Sequence, residues 1–239
     1  MNLALVPGPY VGLWKRTFLE TQSLRDTTSR VFWLQTQTWH ADIRIPADRP
    51  QLTAHASLDT LSRADLLALS RQQGFVGVTH VAGDICRWYR YADYQPANGF
   101  NDIGRIHFDG NDRLLEYGVE QHYFEIWERV GDGTAENSVL QLQDPNEPLS
   151  VLVSVGNWCI LVRARRAGLP AAANLESIVA SERDETRCRE WLDFEISLAR
   201  RRDRADGWRI QLSTFPWREG EKLIGPKLVM GKGTDPALE

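Results

Sequence analysis

An all-β, antiparallel and mostly up-and-down barrel of about ten strands with one short helix is the fold that this sequence predicts. Apolar and polar residues alternate with a period of two along most of the chain, as they do in half-buried strands. Gly, Asn and Asp residues separate these segments in the manner of tight hairpin turns, for example at Gly83, Gly110 and Gly156. Sequential antiparallel strands in this number close into a barrel or pack as two sheets, because closure removes exposed edges.

The alternating segments follow one another with few interruptions. The expected strands cover residues 12–20, 30–36, 39–45, 75–81, 85–91, 103–108, 113–119, 122–130, 138–143, 149–155, 158–165, 191–199 and 208–214. No Pro/Ser-rich linker divides them, so we expect one β-barrel domain over residues 1–239.

One capped helix interrupts the strands. Ser62 is the expected N-cap, Asp65 completes an acidic capping box, and Leu61 and Leu66 occupy the hydrophobic-staple positions. The helix is expected to end at Gly74 as its C′ glycine. A second short helix is indicated around residues 175–181.

Composition and charge exclude several classes of protein. The chain has 239 residues, 42% of them hydrophobic, and a net charge of -4, so we expect no nucleic-acid partner, since such proteins need a concentrated basic surface. No segment approaches a membrane span, and the N-terminus lacks the features of a secretory signal. Three widely spaced cysteines suggest reduced thiols, and therefore a cytoplasmic protein. No helix-borne zinc spacing, nucleotide loop or serine elbow occurs, so we expect no metal, no cofactor and no membrane partner.

The first expected strand follows a turn-rich lead-in. Residues 7–14 contain two prolines and then Gly12-Leu13-Trp14. This motif resembles the entry to the calycin barrels, the lipocalins and their relatives, in which Gly-x-Trp closes one barrel end and an Arg from a late strand packs on the Trp. The resemblance spans about a dozen residues and implies a calycin-like barrel that is closed by Trp14. Position makes Arg209 the expected partner of Trp14. The chain departs from the family in its greater length and larger number of expected strands.

Nine tryptophans, most of them on expected strands, suggest aromatic walls around a lumen. Several strands place an aromatic or basic residue beside a polar one on the same face, which favours a polar-aromatic cavity because buried charges must be paired. The candidate ligand-binding residues are Trp33, Gln35, Trp88, Arg105, His107, Glu125 and Trp127. The candidate acid–base residues are His107, His122, Asp93 and Glu125. In such a cavity Arg105 and Glu125 are expected to offset each other's charge.

Three functions are compatible with these patterns. The first is the binding of a small hydrophobic or amphipathic molecule in the barrel lumen. The alternative is a cofactor-free isomerase, lyase or hydrolase that acts on a small aromatic substrate with His, Asp and Glu groups in the lumen. The third is an interaction protein whose tryptophans form an oligomer interface, for example that of a homodimer. No sequence feature separates the binding protein from the enzyme.

Overall fold

The first half of the chain forms an antiparallel sheet in the computed structural model, which describes residues 5–131, 135–142, 147–203 and 205–223. Its strands are β1 (Gly12–Thr21), β2 (Arg25–Asp26), β3 (Arg30–Gln35), β4 (Trp39–Ile45), β5 (Gln73–Ala82), β6 (Ile85–Asp93), β7 (Asp102–Phe108), β8 (Arg113–Gly118) and β9 (Tyr123–Arg129). Strands β3 to β9 pair in sequence, and β1 pairs with both β3 and β9. Eight strands therefore close into a barrel, while the short β2 pairs with the end of β1.

The strand register gives the barrel two different ends. At one end Trp14 of β1 lies opposite Trp33 and Arg129, and a single 3-10 turn (Gly8–Tyr10) precedes the strand. A cluster of buried side chains fills this closed end: Val6, Tyr10, Trp14, Val31, Trp33, Cys86, Trp88, Ile106, Leu114 and Trp127. At the other end, β1 continues to Thr21 opposite Tyr123, and the barrel is open.

Trp14 is fully buried in the closed end. Its Nε1 donates a hydrogen bond of 2.8 Å to the carbonyl oxygen of Tyr10. The guanidinium of Arg129 lies 4.1 Å above the Trp14 ring and donates hydrogen bonds to the carbonyls of Val11 (2.5 Å) and Pro9 (2.7 Å). The prediction that Arg209 packs on Trp14 is wrong, because the last strand of the barrel is β9, whereas Arg209 belongs to a second sheet.

The second sheet has five antiparallel strands paired in chain order. They are β10 (Asn137–Leu142), β11 (Ser150–Val155), β12 (Trp158–Arg163), β13 (Glu195–Arg200) and β14 (Arg209–Ser213). β9 pairs with β1 and β8, and β10 pairs with β11, so the hairpin expected between residues 122–130 and 138–143 does not form. A mostly β architecture with a closed antiparallel barrel is confirmed. The expected barrel of about ten strands with one short helix is not, because the barrel has eight strands and the described residues form three α-helices. The up-and-down order and the single domain over residues 1–239 stay predictions.

Helices pack beside the second sheet. They are α1 (Arg63–Ser70), α2 (Leu175–Ser181) and α3 (Glu185–Leu192). The capping box of α1 is confirmed, because the Asp65 N–H donates to Ser62 Oγ (3.2 Å) and the Ser62 N–H donates to Asp65 Oδ2 (3.1 Å). Gly74 is not a C′ residue. It lies in β5 with φ of 152°, and a Cβ there would stand 2.4 Å from the Asp42 carbonyl oxygen. Among the described residues, none of the helices has the length and apolar character to cross a lipid bilayer.

The outer wall of the barrel packs against the second sheet. Ala41, Ile43 and Ile45 of β4 are fully buried in one cluster with residues of the second sheet such as Val153 and Ile196. Because successive side chains of a strand point to opposite faces, the alternate residues of β4 face the barrel interior. These interior residues are His40, Asp42 and Arg44. The packing therefore directs the polar face of β4 into the lumen.

Candidate functional site

Two adjoining cavities occupy the open end of the barrel. Their volumes are about 680 and 300 Å³, within the range of small-molecule binding sites. Trp88 lines the larger cavity and Val31 lines the smaller one. Both residues belong to the buried cluster that fills the closed end, so both cavities extend to that cluster. Six residues line both cavities: Arg44, Gln73, Arg90, Asp102, Gln121 and Tyr123. The cavities therefore meet at a shared polar wall, which we call the barrel mouth.

Two arginines of this region are held by carboxylates on both sides. Arg16 donates from Nη1 to Glu125 (2.7 Å) and from Nη2 to Asp26 (2.9 Å), and both Arg16 and Glu125 are buried. Arg90 donates from Nη1 to Asp93 (2.7 Å) and from Nη2 to Asp102. Each guanidinium thus has one carboxylate on each Nη atom, as the pairing of desolvated charges requires.

Arg44 is held differently. Its Nε donates to Asp42 Oδ1 at 2.8 Å, and Asp42 is only 1% exposed. Among the residues that the structure describes, neither Nη atom of Arg44 has a hydrogen-bond partner. The Arg44 side chain is 25% exposed, lines both cavities and lies 5.3 Å from the Phe75 ring, which Arg90 covers at 3.6 Å. The barrel mouth therefore holds an oriented guanidinium with free donors.

A buried carboxyl group stands beside these ion pairs. Glu116 of β8 is 4% exposed, lies opposite Glu125 in the β8–β9 register, and accepts a hydrogen bond of 2.6 Å from the Tyr123 hydroxyl. A Cβ at Gly104 would lie 3.0 Å from Glu116 and 3.1 Å from Trp88, so the glycine makes room for both side chains. Burial, and then the charge of Glu125, raise the pKa of Glu116 well above its ordinary value.

The raised pKa gives Glu116 a predictable effect on stability. The folded protein keeps the Glu116 proton at a pH where the unfolded chain has released it, so this group reduces stability as the pH rises above about 4.3. Gln cannot titrate and can still accept the Tyr123 hydrogen bond. We expect Glu116→Gln to raise the urea midpoint at about pH 8, and the gain to vanish towards about pH 4.

The matched control for this substitution is Glu128→Gln, which changes an exposed residue of β9. It is expected to leave the urea midpoint unchanged at both pH values. A stability gain of Glu116→Gln that is equal at both pH values would contradict a proton held by Glu116.

The structure separates the predicted ligand-binding residues into three groups. Trp88 and Glu125 line the cavities. Trp33, Gln35 and Trp127 are buried at the closed end and line neither cavity. The remaining two are Arg105 and His107, exposed residues of β7.

The predicted pairing of Arg105 with Glu125 is corrected. Arg105 pairs with Asp84, and both of these side chains are more than half exposed, whereas Glu125 pairs with Arg16. The reason is the alternation of β7, which turns Asp102 towards the cavities and Arg105 away from them.

The candidate acid–base residues do not come together. His107 and His122 are exposed, and neither lines a cavity. Asp93 lines the larger cavity and is paired with Arg90, while Glu125 lines the smaller one. The four tryptophans Trp14, Trp33, Trp88 and Trp127 are buried inside the barrel, so they do not supply an exposed interface.

Most of the polar residues of this region could not be recognised from the sequence pattern. Arg16, Arg44 and Glu116 were not among the candidates, although Arg16 shares a strand face with Trp14. The alternation of β4 carried the signal for Arg44, because four apolar residues alternate with three polar ones. That pattern shows two different faces but does not say which of them is inside.

Comparisons with protein-family models, with curated proteins and with solved structures find no match to this chain. In the described ranges, no group of three or more His, Cys, Asp and Glu side chains is placed to hold a metal ion. The function is therefore inferred from the cavities and the residues that line them.

Proposed function

We propose that this protein binds one small amphipathic molecule in the open half of a calycin-like barrel. The observation that carries the proposal is the pair of adjoining cavities at the barrel mouth, whose walls combine aromatic rings with oriented charged groups. Ligand sites of this size bind through apolar surface and take their specificity from a few placed polar groups. An amphipathic ligand fits these walls better than a purely hydrophobic one, because the barrel mouth contains two arginines and one aspartate.

The closed end supports the calycin-like assignment. A 3-10 turn leads into Gly12-Leu13-Trp14, and an arginine of the last barrel strand, Arg129, covers Trp14 and donates to carbonyls beside that turn. The resemblance implies this arrangement of Trp and late-strand Arg. A plug at one end leaves a single open end for ligand entry, which is the plan of a binding barrel.

The test uses a neutral fluorescent probe and one variant that fills the barrel mouth. N-phenyl-1-naphthylamine is titrated into the protein and its fluorescence gain is followed, with one bound probe per chain expected. Gln121 is exposed and lines both cavities, so Gln121→Trp narrows the entrance without disturbing the core. We expect this variant to weaken probe binding by at least about tenfold, or 1.4 kcal/mol.

The matched control is His122→Trp at the neighbouring exposed position, which lines neither cavity. It adds the same indole to the same turn and is expected to bind the probe like the parent protein. Equal affinities of the two variants, or no saturable binding to the parent, would refute the proposed site.

A further inference from the structure

We propose that the molecule bound in the barrel mouth carries a carboxylate, and that the two Nη atoms of Arg44 donate hydrogen bonds to it. This assignment rests on the proposed function, since it concerns the charge of the ligand in the same site. A guanidinium presents two parallel N–H groups that match the two oxygens of a carboxylate. The free Nη donors of Arg44 are therefore complementary to a carboxylate group of the ligand.

Arg44 differs from Arg16 and Arg90 in its remaining hydrogen-bonding capacity. Arg16 and Arg90 each have both Nη atoms on carboxylates of the protein. Arg44 uses only Nε within the described part of the chain, so its outer edge is available to a ligand. Of these three arginines, Arg44 is therefore the one that has no carboxylate on either Nη atom in the described part of the chain.

Asp42 orients this free edge. Its buried carboxylate holds Arg44 Nε at 2.8 Å, so the guanidinium is fixed on one side before a ligand arrives. Preorganisation of this kind reduces the entropy that binding would otherwise cost. The side chain is one-quarter exposed and borders both cavities, which places the free edge within reach of a molecule in either cavity.

The neighbouring acidic groups already have donors of their own. Glu125 is held by Arg16, Asp102 by Arg90, and Glu116 by the Tyr123 hydroxyl. Among the described arginines that line a cavity, Arg44 and Arg87 have no carboxylate on an Nη atom, and of these two only Arg44 lines both cavities. The same carboxylates nevertheless oppose a bound anion, so the test includes a cationic probe of the same size.

The experiment compares three probes of one shape by isothermal titration calorimetry. They are 1-naphthoate (anionic), 1-naphthalenemethanol (neutral) and 1-naphthylmethylammonium (cationic). Charge-assisted hydrogen bonds of a bidentate pair predict that the naphthoate binds the parent protein at least about tenfold more tightly than the neutral probe. The cationic probe is expected to bind more weakly than the neutral one.

Variants assign this preference to Arg44. Arg44→Gln alone would leave the buried Asp42 carboxylate without its cationic partner and could unfold the protein. The double variant Asp42→Asn/Arg44→Gln avoids this, because the two amide side chains form a neutral hydrogen-bonded pair. The double variant is expected to bind naphthoate and naphthalenemethanol with equal affinity. Arg105→Gln, which removes an exposed arginine from the outer wall, is the control and should keep the full preference.

The possible failures are distinguishable. If N-phenyl-1-naphthylamine binds at the barrel mouth but naphthoate has no advantage, or the cation binds best, the carboxylate assignment is overturned and the binding function stands. A preference that survives in the double variant also overturns it. If none of the probes binds, the binding function fails and the carboxylate assignment fails with it.

Discussion

Trp14→Ala is expected to lower the free energy of unfolding by about 3–5 kcal/mol, the range for truncation of a buried aromatic side chain. Trp14 is fully buried, stacks on Trp33 at 6.4 Å between ring centroids, and lies under the guanidinium of Arg129. Alanine would leave a cavity where these groups meet. It would also remove the hydrogen bond to the carbonyl oxygen of Tyr10. Urea unfolding followed by far-ultraviolet circular dichroism measures the loss without depending on the missing tryptophan.

The control for this truncation is Phe100→Ala, since Phe100 is 61% exposed. Its expected cost is below about 0.5 kcal/mol, as for most surface substitutions. A cost below about 1 kcal/mol for Trp14→Ala would mean that the closed end does not depend on the indole, and would count against the calycin-like plug.

Arg16→Met is expected to destabilise the protein by about 3–5 kcal/mol at neutral pH, the range for breaking a buried ion pair from one side. Arg16 is buried and is the arginine that pairs with both Glu125 and Asp26. Methionine fills a similar volume but leaves Glu125 without its cation. Urea midpoints of parent and variant measure the difference.

The pH dependence of the stability deficit of Arg16→Met distinguishes an unpaired buried charge from a loss of packing. Acidification protonates the stranded carboxyl groups, so the deficit of Arg16→Met is expected to shrink between about pH 7 and about pH 4. Arg105→Met is the matched control, because its ion pair with Asp84 is exposed, and it should cost less than about 1 kcal/mol. A deficit of Arg16→Met that is constant with pH would show that lost packing, and not unpaired charge, is responsible.

The sequence correctly predicted the elements that depend on interactions between residues close together in the chain. Ser62 and Asp65 predicted the start of α1, because a capping box satisfies backbone groups within one turn. The bounds of α2 agree with the predicted residues 175–181. Gly83, Gly110 and Gly156 have positive φ angles in turns between paired strands, as their hairpin chemistry predicted.

Two elements were predicted wrongly from the sequence, because contacts with residues distant in the chain determine their structure. Residues 191–199 were predicted as one strand, whereas Trp191 and Leu192 end α3 and only Glu195–Arg200 forms β13. Both residues are buried against the core, and an apolar pair satisfies a helix as well as a strand. The segment at Gly131 was expected to join a hairpin, but β9 pairs with β1 to close the barrel. Strand closure is a long-range pairing that turn residues do not encode.

The sequence by itself determined that this protein is built from antiparallel strands with one firmly capped helix, and that aromatic and charged residues share strand faces. Only the tertiary structure decided which faces are inside. In β4, Ile43 reads as a core residue and Arg44 as a surface residue, yet the second sheet covers Ile43 from outside the barrel and leaves Arg44 facing the cavities. Alternation records that a strand has two different faces, whereas the direction of each face depends on what packs against it.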